Sequence, residues 1–272
     1  MAPVWNKLIR FIGADNDIHY GEPIMDMSKP EVTVDKLLES NKLKAKIITG
    51  DVFSASTVVT DQVIKVVHLL APLSREQIPI IKFAEGGRTP PPYPSIFIKP
   101  SNALADAFQD IPIPSIAQET LDYEGELAVI ANDISNRMWQ RDPKYAGSVP
   151  QWCFSKGFDK FGPIGPVIVS AKILGDPPGL ELTTRVNNEV RQSTNISDLL
   201  FHVPEIISFI SQGTTLEKGT IIMTGTPAGV VMGMKTPLYL KDGDVEEVEI
   251  SGIGKIANHV TFAHAGSGMT TV

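Results

Sequence analysis

Cysteine is almost absent from this sequence: Cys153 is the single one in 272 residues, so no disulfide can form within the chain. Chains without disulfides are typical of reducing compartments, and we predict a cytoplasmic location. No apolar run approaches the roughly 20 residues that a helix needs to cross a bilayer. Residues 1–13 lack the apolar core of a signal peptide. The sequence therefore predicts neither a membrane partner nor a secretion signal.

Positive charge is also scarce. Lys and Arg number 24 against 31 Asp and Glu, which gives a net charge of −7. Because sequence-independent binding of nucleic acid depends on neutralising phosphates, we do not expect a nucleic-acid partner. The five histidines are scattered without metal-ligand spacing, and the chain has no Gly-Lys-Ser/Thr ending of a phosphate-binding P-loop.

Glycine and proline are abundant, with 22 and 21 residues. Their spread along the chain favours many short strands joined by turns over a helical bundle. We predict an α+β fold in which strands dominate. The proline-flanked segment 72–79 is interpreted as a linker between a small N-terminal β-rich module, residues 1–72, and a larger domain, residues 73–272.

Local patterns predict several elements of this fold. Residues 33–40 favour a short helix, and the β-branched segment 56–70 favours strands with a tight turn at Asp61-Gln62. Residues 181–192 predict a hairpin around Asn187-Asn188, since asparagine tolerates positive φ. A helix is predicted over residues 197–211, broken into two pieces by Pro204.

An acidic strand is the most informative segment. Residues 121–130 predict one strand, whose alternating side chains would place Asp122, Glu124 and Glu126 on the same face. A hard divalent cation, Mg²⁺, Mn²⁺ or Ca²⁺, would neutralise these carboxylates. The alternative is a solvated acidic edge strand that discourages pairing with other chains. Asp133 would add an oxygen ligand or, alternatively, form a turn.

Two other segments offer groups that bind anions. Lys156 lies among aromatic and small residues and would supply positive charge to an anionic substrate or enolate, with a surface lysine as the alternative. The predicted strand 220–224 leads into a glycine-rich turn that contains Thr226. Such a turn would offer N–H groups and hydroxyls to a carboxylate.

Seven segments together resemble the fumarylacetoacetate hydrolase (FAH) family. They occur in the family's order between about Glu85 and Phe262, and the N-terminal module resembles the small domain that many members carry. The segments are Pro94–Ser101, Tyr123–Leu127, Asn132–Arg137, Phe158–Pro163, Thr184–Asn187, Leu216–Val230 and Asp242–Val245.

The resemblance implies an FAH-like mixed β-sandwich roll and a homodimer. It implies a divalent metal, Mg²⁺ or else Mn²⁺ or Ca²⁺, held by Glu124, Glu126 and Asp133. Family substrates are short 2-oxo or 1,3-dicarbonyl acids, such as acylpyruvates and oxaloacetate. The metal would chelate their keto and carboxylate oxygens and stabilise an enolate. Members hydrolyse C–C bonds, decarboxylate or tautomerise.

The resemblance also implies roles for five other residues. Lys99, Gln140 and Thr226 correspond to substrate-binding positions, while Lys156 and Glu85 correspond to catalytic ones.

Two departures from the family pattern suggest a shortened chain. Before Glu85, the family's strand and its water-orienting histidine are absent. Between Glu126 and Asp133, a helix and a strand are absent, and seven extended residues would separate the two carboxylates by about 20 Å. Only a chain reversal near Ile130-Ala131 would bring them together. We therefore predict a weakened metal site and impaired water activation. The alternative function is a catalytically impaired member or an accessory protein of a metabolic pathway, such as a biosynthetic one.

Overall fold

The first strands of the chain form a small sheet that closes on itself. The computed structural model describes residues 3–26, 28–79, 81–85, 92–127, 129–174 and 179–263, with the side chains of 82–85 left aside. The N-terminal elements are β1 (Lys7–Gly13), β2 (Ile18–Pro23), α1 (Val34–Glu39), β3 (Lys44–Thr49) and β4 (Val58–Leu70). Each strand pairs with the next, and β4 pairs back onto β1. The short helix predicted over 33–40 is confirmed as α1.

The turn predicted at Asp61-Gln62 is wrong, because β4 is a single strand of 13 residues. Val59 pairs with Ile48 and Val63 with Lys46, so extra residues of β4 lie opposite Ile47. The polar pair therefore occupies a bulge. A bulge lets a long strand curve while most of its backbone groups stay paired.

The middle of the chain contributes many short strands and helices. They are β5 (Ile81–Glu85), β6 (Ser95–Lys99), β7 (Leu104–Ala105), β8 (Ile111–Ile113), β9 (Leu121–Asp122), β10 (Gly125–Leu127), β11 (Ile130–Asn132), β12 (Ser135–Asn136), β13 (Gly162–Gly165) and β14 (Ile168–Val169), with α2 (Arg137–Arg141), α3 (Pro143–Ala146), α4 (Trp152–Lys156) and α5 (Ala171–Leu174). One sheet has the order β10-β11-β13-β7, and β14 pairs with β1 of the N-terminal sheet.

The last third of the chain supplies most of a second five-stranded sheet, which is mainly antiparallel. The elements of this part of the chain are β15 (Glu181–Val186), β16 (Glu189–Asn195), α6 (Val203–Ile210), β17 (Ile221–Met223), β18 (Val245–Ile250) and β19 (Gly254–Phe262). One sheet has the order β16-β15-β18-β19-β8, and another has the order β17-β5-β6. Strands dominate the described residues, which confirms the predicted fold class.

The hairpin predicted at Asn187-Asn188 is confirmed, with φ of 51° and 67° at the two residues. The helix predicted over residues 197–211 is not broken by Pro204. This proline lies in the first turn of α6, where its missing N–H costs nothing. No helix in the described ranges has the length and apolarity needed to traverse a bilayer.

Two predictions about the chain around the acidic segment are wrong. Residues 121–130 do not form one strand but divide into β9, β10 and the start of β11. A strand does precede Glu85: β5 pairs in parallel with β17 and antiparallel with β6. Parallel pairing with a strand about 140 positions later is a tertiary contact that local sequence does not encode.

The main hydrophobic core joins residues from both ends of the chain. Ile9 and Leu69 of the N-terminal sheet pack in the same cluster as Ile130, Val248 and Ile256. This shared core places the hairpin β10–β11 between the N-terminal sheet and the sheet built on β15, β18 and β19. The domain boundary at 72/73 stays a prediction.

Gly125 allows this hairpin to lie directly on β15. A Cβ at Gly125 would stand 2.1 Å from Oγ1 of Thr184 and 3.2 Å from a methyl group of Val248. Both neighbours belong to buried strand positions that cannot swing away. A glycine is therefore required between Glu124 and Glu126 by packing alone.

We expect Gly125→Ala to destabilise the fold by about 1–3 kcal/mol, the usual cost of overpacking. Thr184→Ala in the same chain should restore part of this loss, because it removes the clashing Oγ1, a buried atom without a hydrogen bond among the described residues. Urea unfolding of both variants measures the effect. Gly233→Ala is the matched control, since a Cβ there meets nothing within 4 Å. Equal stability of the single and double variants would contradict the argument.

Candidate active site

Three carboxylates converge at the start of the β10–β11 hairpin. One oxygen each from Glu124, Glu126 and Asp133 lie within 4.8 Å of one another, and all three side chains are buried. The chain reverses between Leu127 and Ile130, which pair with each other, so Glu126 faces Ala131 across the ladder. The separation of about 20 Å that an extended chain would give therefore does not arise. The chain makes the reversal that the sequence analysis required for a shared site, just before Ile130-Ala131. The alternative of a solvated acidic edge is wrong.

Backbone contacts hold these carboxylates in place. The N–H of Asp133 donates to the carbonyl of Glu124 over 2.8 Å. The N–H of Gly225, in the turn after β17, donates to Oε2 of Glu126 over 2.7 Å. The predicted glycine-rich turn thus binds a carboxylate, and the carboxylate is the protein's own.

Lys156 lies at the end of α4 with no exposed surface, so the alternative of a surface lysine is wrong. Its Nζ is 2.7 Å from Oε2 of Glu124 and 2.5 Å from Oδ2 of Asp133. The ammonium group therefore bridges two of the three carboxylates. A buried charge requires such pairing, because its desolvation is otherwise prohibitive.

Lys99 supports Asp133 from the other side. Its Nζ is 2.6 Å from Oδ1 of Asp133 and donates to the backbone carbonyls of Ile134 and Phe161. Complete burial lowers the pKa of Lys99 to about 8, although the charge of Asp133 acts in the opposite direction. These contacts make Lys99 a support for Asp133, and its expected contact with substrate stays a prediction.

Arg137 opens α2 and joins two acidic residues. Its Nε donates to Oδ2 of Asp122 over 2.7 Å, its Nη2 donates to Glu124, and its Nη1 donates to Oε1 of Gln140 over 2.9 Å. Burial would raise the pKa of Glu124, but the charges of Arg137 and Lys156 outweigh it and lower this pKa to about 2. Glu124 is therefore ionised throughout the neutral range.

The sequence predicted that Asp122 shares a face with Glu124 and Glu126. This prediction is wrong. Because β9 ends at Asp122, its carboxylate turns toward Arg137 and accepts from the N–H of Val231 over 2.8 Å. Burial raises its pKa despite the charge of Arg137.

The donor set fits a hard divalent cation. Four carboxyl groups are buried around the hairpin, those of Asp122, Glu124, Glu126 and Asp133, against three buried cations, Lys99, Arg137 and Lys156. With these groups ionised, the cluster keeps an excess of negative charge, which a bound cation would offset. Three carboxylate oxygens within 4.8 Å are the ligands that Mg²⁺, Mn²⁺ and Ca²⁺ prefer.

A cavity of about 740 Å³ opens beside these groups. Glu124, Arg137, Gln140 and Thr226 line one part of it. The side chain of Gln140 is fully buried, and its Nε2 has no hydrogen-bond partner among the described residues. The structure thus brings a free amide donor to the cavity beside Glu124.

Thr226 also lines the cavity, but its hydroxyl is engaged. Oγ1 donates to the carbonyl of Gly125 over 3.0 Å and accepts from Nε2 of Gln192 over 2.7 Å. Glu85 ends β5, and its backbone pairs with Ser95. The side chain of Glu85 lies outside the described part of the structure, so its catalytic role stays a prediction.

Three residues of this site were not assigned roles from the sequence: Arg137, Asn132 and Gln192. Gln192 and Asn132 have partners far away in the chain: Oε1 of Gln192 accepts from the N–H of Gly125 over 3.0 Å, and Nδ2 of Asn132 donates to Glu246 over 3.1 Å. Local patterns carry no signal for such contacts.

The family model described as the C-terminal part of fumarylacetoacetate (FAA) hydrolase matches residues 80–131 and 129–261. The chain belongs to the fumarylacetoacetate hydrolase family. The two matched segments meet at residues 129–131, the junction at which the sequence analysis placed a missing helix and strand. The division of the match at this FAH chain's hairpin agrees with the predicted shortening.

Relatives of this FAH-family chain are enzymes. A caffeoylpyruvate hydrolase of Neonothopanus nambi is 35% identical over 305 residues, covering 96% of each chain. A mitochondrial oxaloacetate tautomerase of Bos taurus is 38% identical over 194 residues, and the match spans 60% of that protein. The crystal structure of a 2-hydroxyhepta-2,4-diene-1,7-dioate isomerase from Mycobacterium marinum has a TM-score of 0.75 at 28% identity, covering 95% of this chain and 99% of that one.

We expect Arg137→Met to destabilise the protein by about 3–5 kcal/mol, because it leaves Asp122 and Glu124 buried without their shared cation. Arg185→Met is the matched control. Arg185 pairs with Glu249 over 2.9 Å, but both side chains are about one-third exposed, so its loss should cost below about 1 kcal/mol. Urea unfolding at neutral pH measures both. Similar losses in the two variants would show that the Arg137 network contributes little.

Proposed function

We propose that the chain is a divalent-metal-dependent enzyme acting on short 2-oxo or 1,3-dicarbonyl acids. The observation that carries this proposal is the triad of carboxylate oxygens within 4.8 Å beside a buried lysine and a free amide donor. The named activities of its relatives, on caffeoylpyruvate and oxaloacetate, support the substrate class.

Glu124, Glu126 and Asp133 would hold the metal, with Mg²⁺ first and Mn²⁺ or Ca²⁺ as alternatives. Such an ion supplies charge stabilisation for an enolate. Lys156 adds a second positive charge at the same carboxylates, and the Nε2 of Gln140 donates a hydrogen bond to a substrate oxygen in the cavity. The buried setting strengthens both interactions, because the local dielectric constant is low.

Two kinds of reaction, with and without attack by water, follow from a shared enolate. Acylpyruvate-type hydrolysis breaks a C–C bond and needs an activated water, for which Glu85 is the proposed base in the absence of the family's histidine. Oxaloacetate-type tautomerisation or decarboxylation needs no water attack. Assays with acetylpyruvate, oxaloacetate and fumarylacetoacetate, with and without added metal, distinguish these reactions.

Calorimetric titration with Mg²⁺ and Mn²⁺ tests the proposed metal site. We expect one site per chain, with binding lost in Glu126→Gln and in Asp133→Asn, since each variant removes a charged ligand but keeps its shape. Glu249→Gln is the control, because Glu249 is a part-exposed acid paired with Arg185. Near-ultraviolet circular dichroism checks that the variants keep the native packing. Unchanged affinity in both ligand variants would exclude the site.

The cavity suggests that the substrate carries a bulky apolar group. Its volume of about 740 Å³ far exceeds that of a four-carbon acid, and away from Glu124 its walls are largely apolar. They include Leu182, Leu199 and Met232. An aromatic acyl group would bury its ring there, as the caffeoylpyruvate-hydrolysing relative also suggests.

We therefore expect an aromatic acylpyruvate, such as benzoylpyruvate, to bind more tightly than acetylpyruvate. Burying roughly 80 Å² of extra apolar surface is worth about 2 kcal/mol, or roughly 30-fold in KM when chemistry is slow. Leu199→Ser should remove much of this preference and leave acetylpyruvate unaffected. The half-exposed Leu238 gives the control variant Leu238→Ser. A preference for acetylpyruvate would refute this assignment.

A catalytically impaired or accessory protein is the second candidate. It is favoured by the ammonium group of Lys156, which already bridges Glu124 and Asp133 and competes with a metal for the same oxygens. A folded protein that binds no metal and turns over none of the substrates would support this candidate.

We further propose that the chain works as a cytoplasmic homodimer, in keeping with its single cysteine and the exposed apolar side chains of Ile116, Val149 and Phe154.

A further inference from the structure

Glu246 occupies a buried position of β18, at which the alternation of the strand predicts an apolar residue. Alternate residues of β18, namely Glu246, Val248 and Ile250, are all buried, and Glu246 is only 1% exposed. It forms no ion pair with any residue in the described ranges. A carboxyl group buried without a cation is costly, so a strand tolerates one only where it makes a needed contact.

That contact is with Asn132. Oε2 of Glu246 accepts a hydrogen bond from Nδ2 of Asn132 over 3.1 Å. Oδ1 of Asn132 in turn accepts from the backbone N–H of Glu124 over 2.9 Å. Asn132 is also the residue before Asp133 and pairs with Gly125 across the hairpin. Asn132 thus lies at one end of the hairpin that carries the carboxylate triad, and its side chain contacts Glu124 at the other end.

The chain of contacts orients the amide of Asn132. Its Nδ2 must point to Glu246 for its Oδ1 to face the N–H of Glu124, because an amide has one donor end and one acceptor end. Without an acceptor at position 246, the Asn132 amide loses this preference. The hairpin β10–β11 has only three residue pairs. Each side-chain hydrogen bond that holds it therefore contributes much to its conformational stability.

The protonation state of Glu246 suits this role. Burial raises the pKa of its carboxyl group to about 8, with Asp122 and Asp244 acting in the same direction and the Asn132 hydrogen bond and Lys99 acting against it. Near neutral pH the group is therefore largely uncharged. It adds a hydrogen-bond acceptor to the site without adding to the negative charge that the metal ligands already carry.

We propose that Glu246 is a positioning residue, which orients the Asn132 amide and through it holds Glu124 and Asp133 in place. Nothing in this proposal requires a bound metal. It rests on the proposed function only for what the positioned carboxylates then do.

Amide hydrogen exchange of the metal-free protein, followed by NMR, tests the proposal directly. In Glu246→Leu, we expect the amides of Glu124 and Asp133 to exchange at least tenfold faster, while amides of Leu182 and Val248 keep their protection. Glu246→Gln should behave as the native protein, because its carbonyl oxygen still accepts from Asn132. Asn132→Ala should reproduce the Leu variant, and it serves in its place if the Leu variant does not fold.

Two outcomes would overturn the proposal. One is unchanged protection of the Glu124 amide in Glu246→Leu or in Asn132→Ala. The other is a uniform loss of protection across β15, β18 and β19, which indicates a purely structural residue. Titration with Mg²⁺ adds a separate readout, with an expected loss of at least tenfold in affinity for the Leu variant but not the Gln variant. A native chain that binds none of Mg²⁺, Mn²⁺ and Ca²⁺ would refute the proposed function, yet the exchange measurement would still decide the role of Glu246.

Discussion

The burial of several carboxylates in one place is the constraint on which this structure depends. Glu124, Glu126 and Asp133 lie within 4.8 Å of one another in the protein interior, where charges of one sign repel strongly. Lys156 and Arg137 must therefore accompany Glu124, and Lys99 must accompany Asp133. These ion pairs hold β6, α2 and α4, the elements on which the three cations lie, close to the hairpin. Such a cluster contributes little net stability. Removing one member is strongly destabilising, however, because it leaves an opposite charge buried without a partner.

The shortened hairpin satisfies this constraint with few residues. In the family pattern, a helix and a strand separate the second and third carboxylates. Here, the chain reverses between Leu127 and Ile130 and returns Asp133 to Glu124 directly. The hairpin packs so closely on β15 that only glycine fits at position 125. A deletion beside the site is thus compatible with a complete triad of carboxylates, because antiparallel pairing brings the two ends of a hairpin together whatever the length of the connection.

The cavity supports the proposed substrate class, because it lies beside this electrostatic centre. Charged and amide groups lie together at one part of its wall, and apolar side chains form much of the remainder. This division matches a 2-oxo acid with an apolar substituent: the polar end needs fixed charges, whereas the substituent needs only space and apolar surface. The competing cation in the centre is Lys156. Under the proposed function, the balance between its ammonium group and a divalent ion at the same oxygens would separate an active enzyme from an impaired relative.

The sequence by itself determined the strand-dominated class, the Asn187-Asn188 hairpin and the family, through motifs that are local in the chain. It also indicated Glu124, Glu126, Asp133 and Lys156, because acidic alternation and loop composition are visible in one dimension. Only the tertiary structure decided that Asp133 meets Glu126, that Asp122 turns to Arg137 and that a strand precedes Glu85. Each of these depends on where the chain reverses or on a partner strand far away in sequence. Residue spacing measures distance along the chain, whereas burial and charge pairing are settled in space.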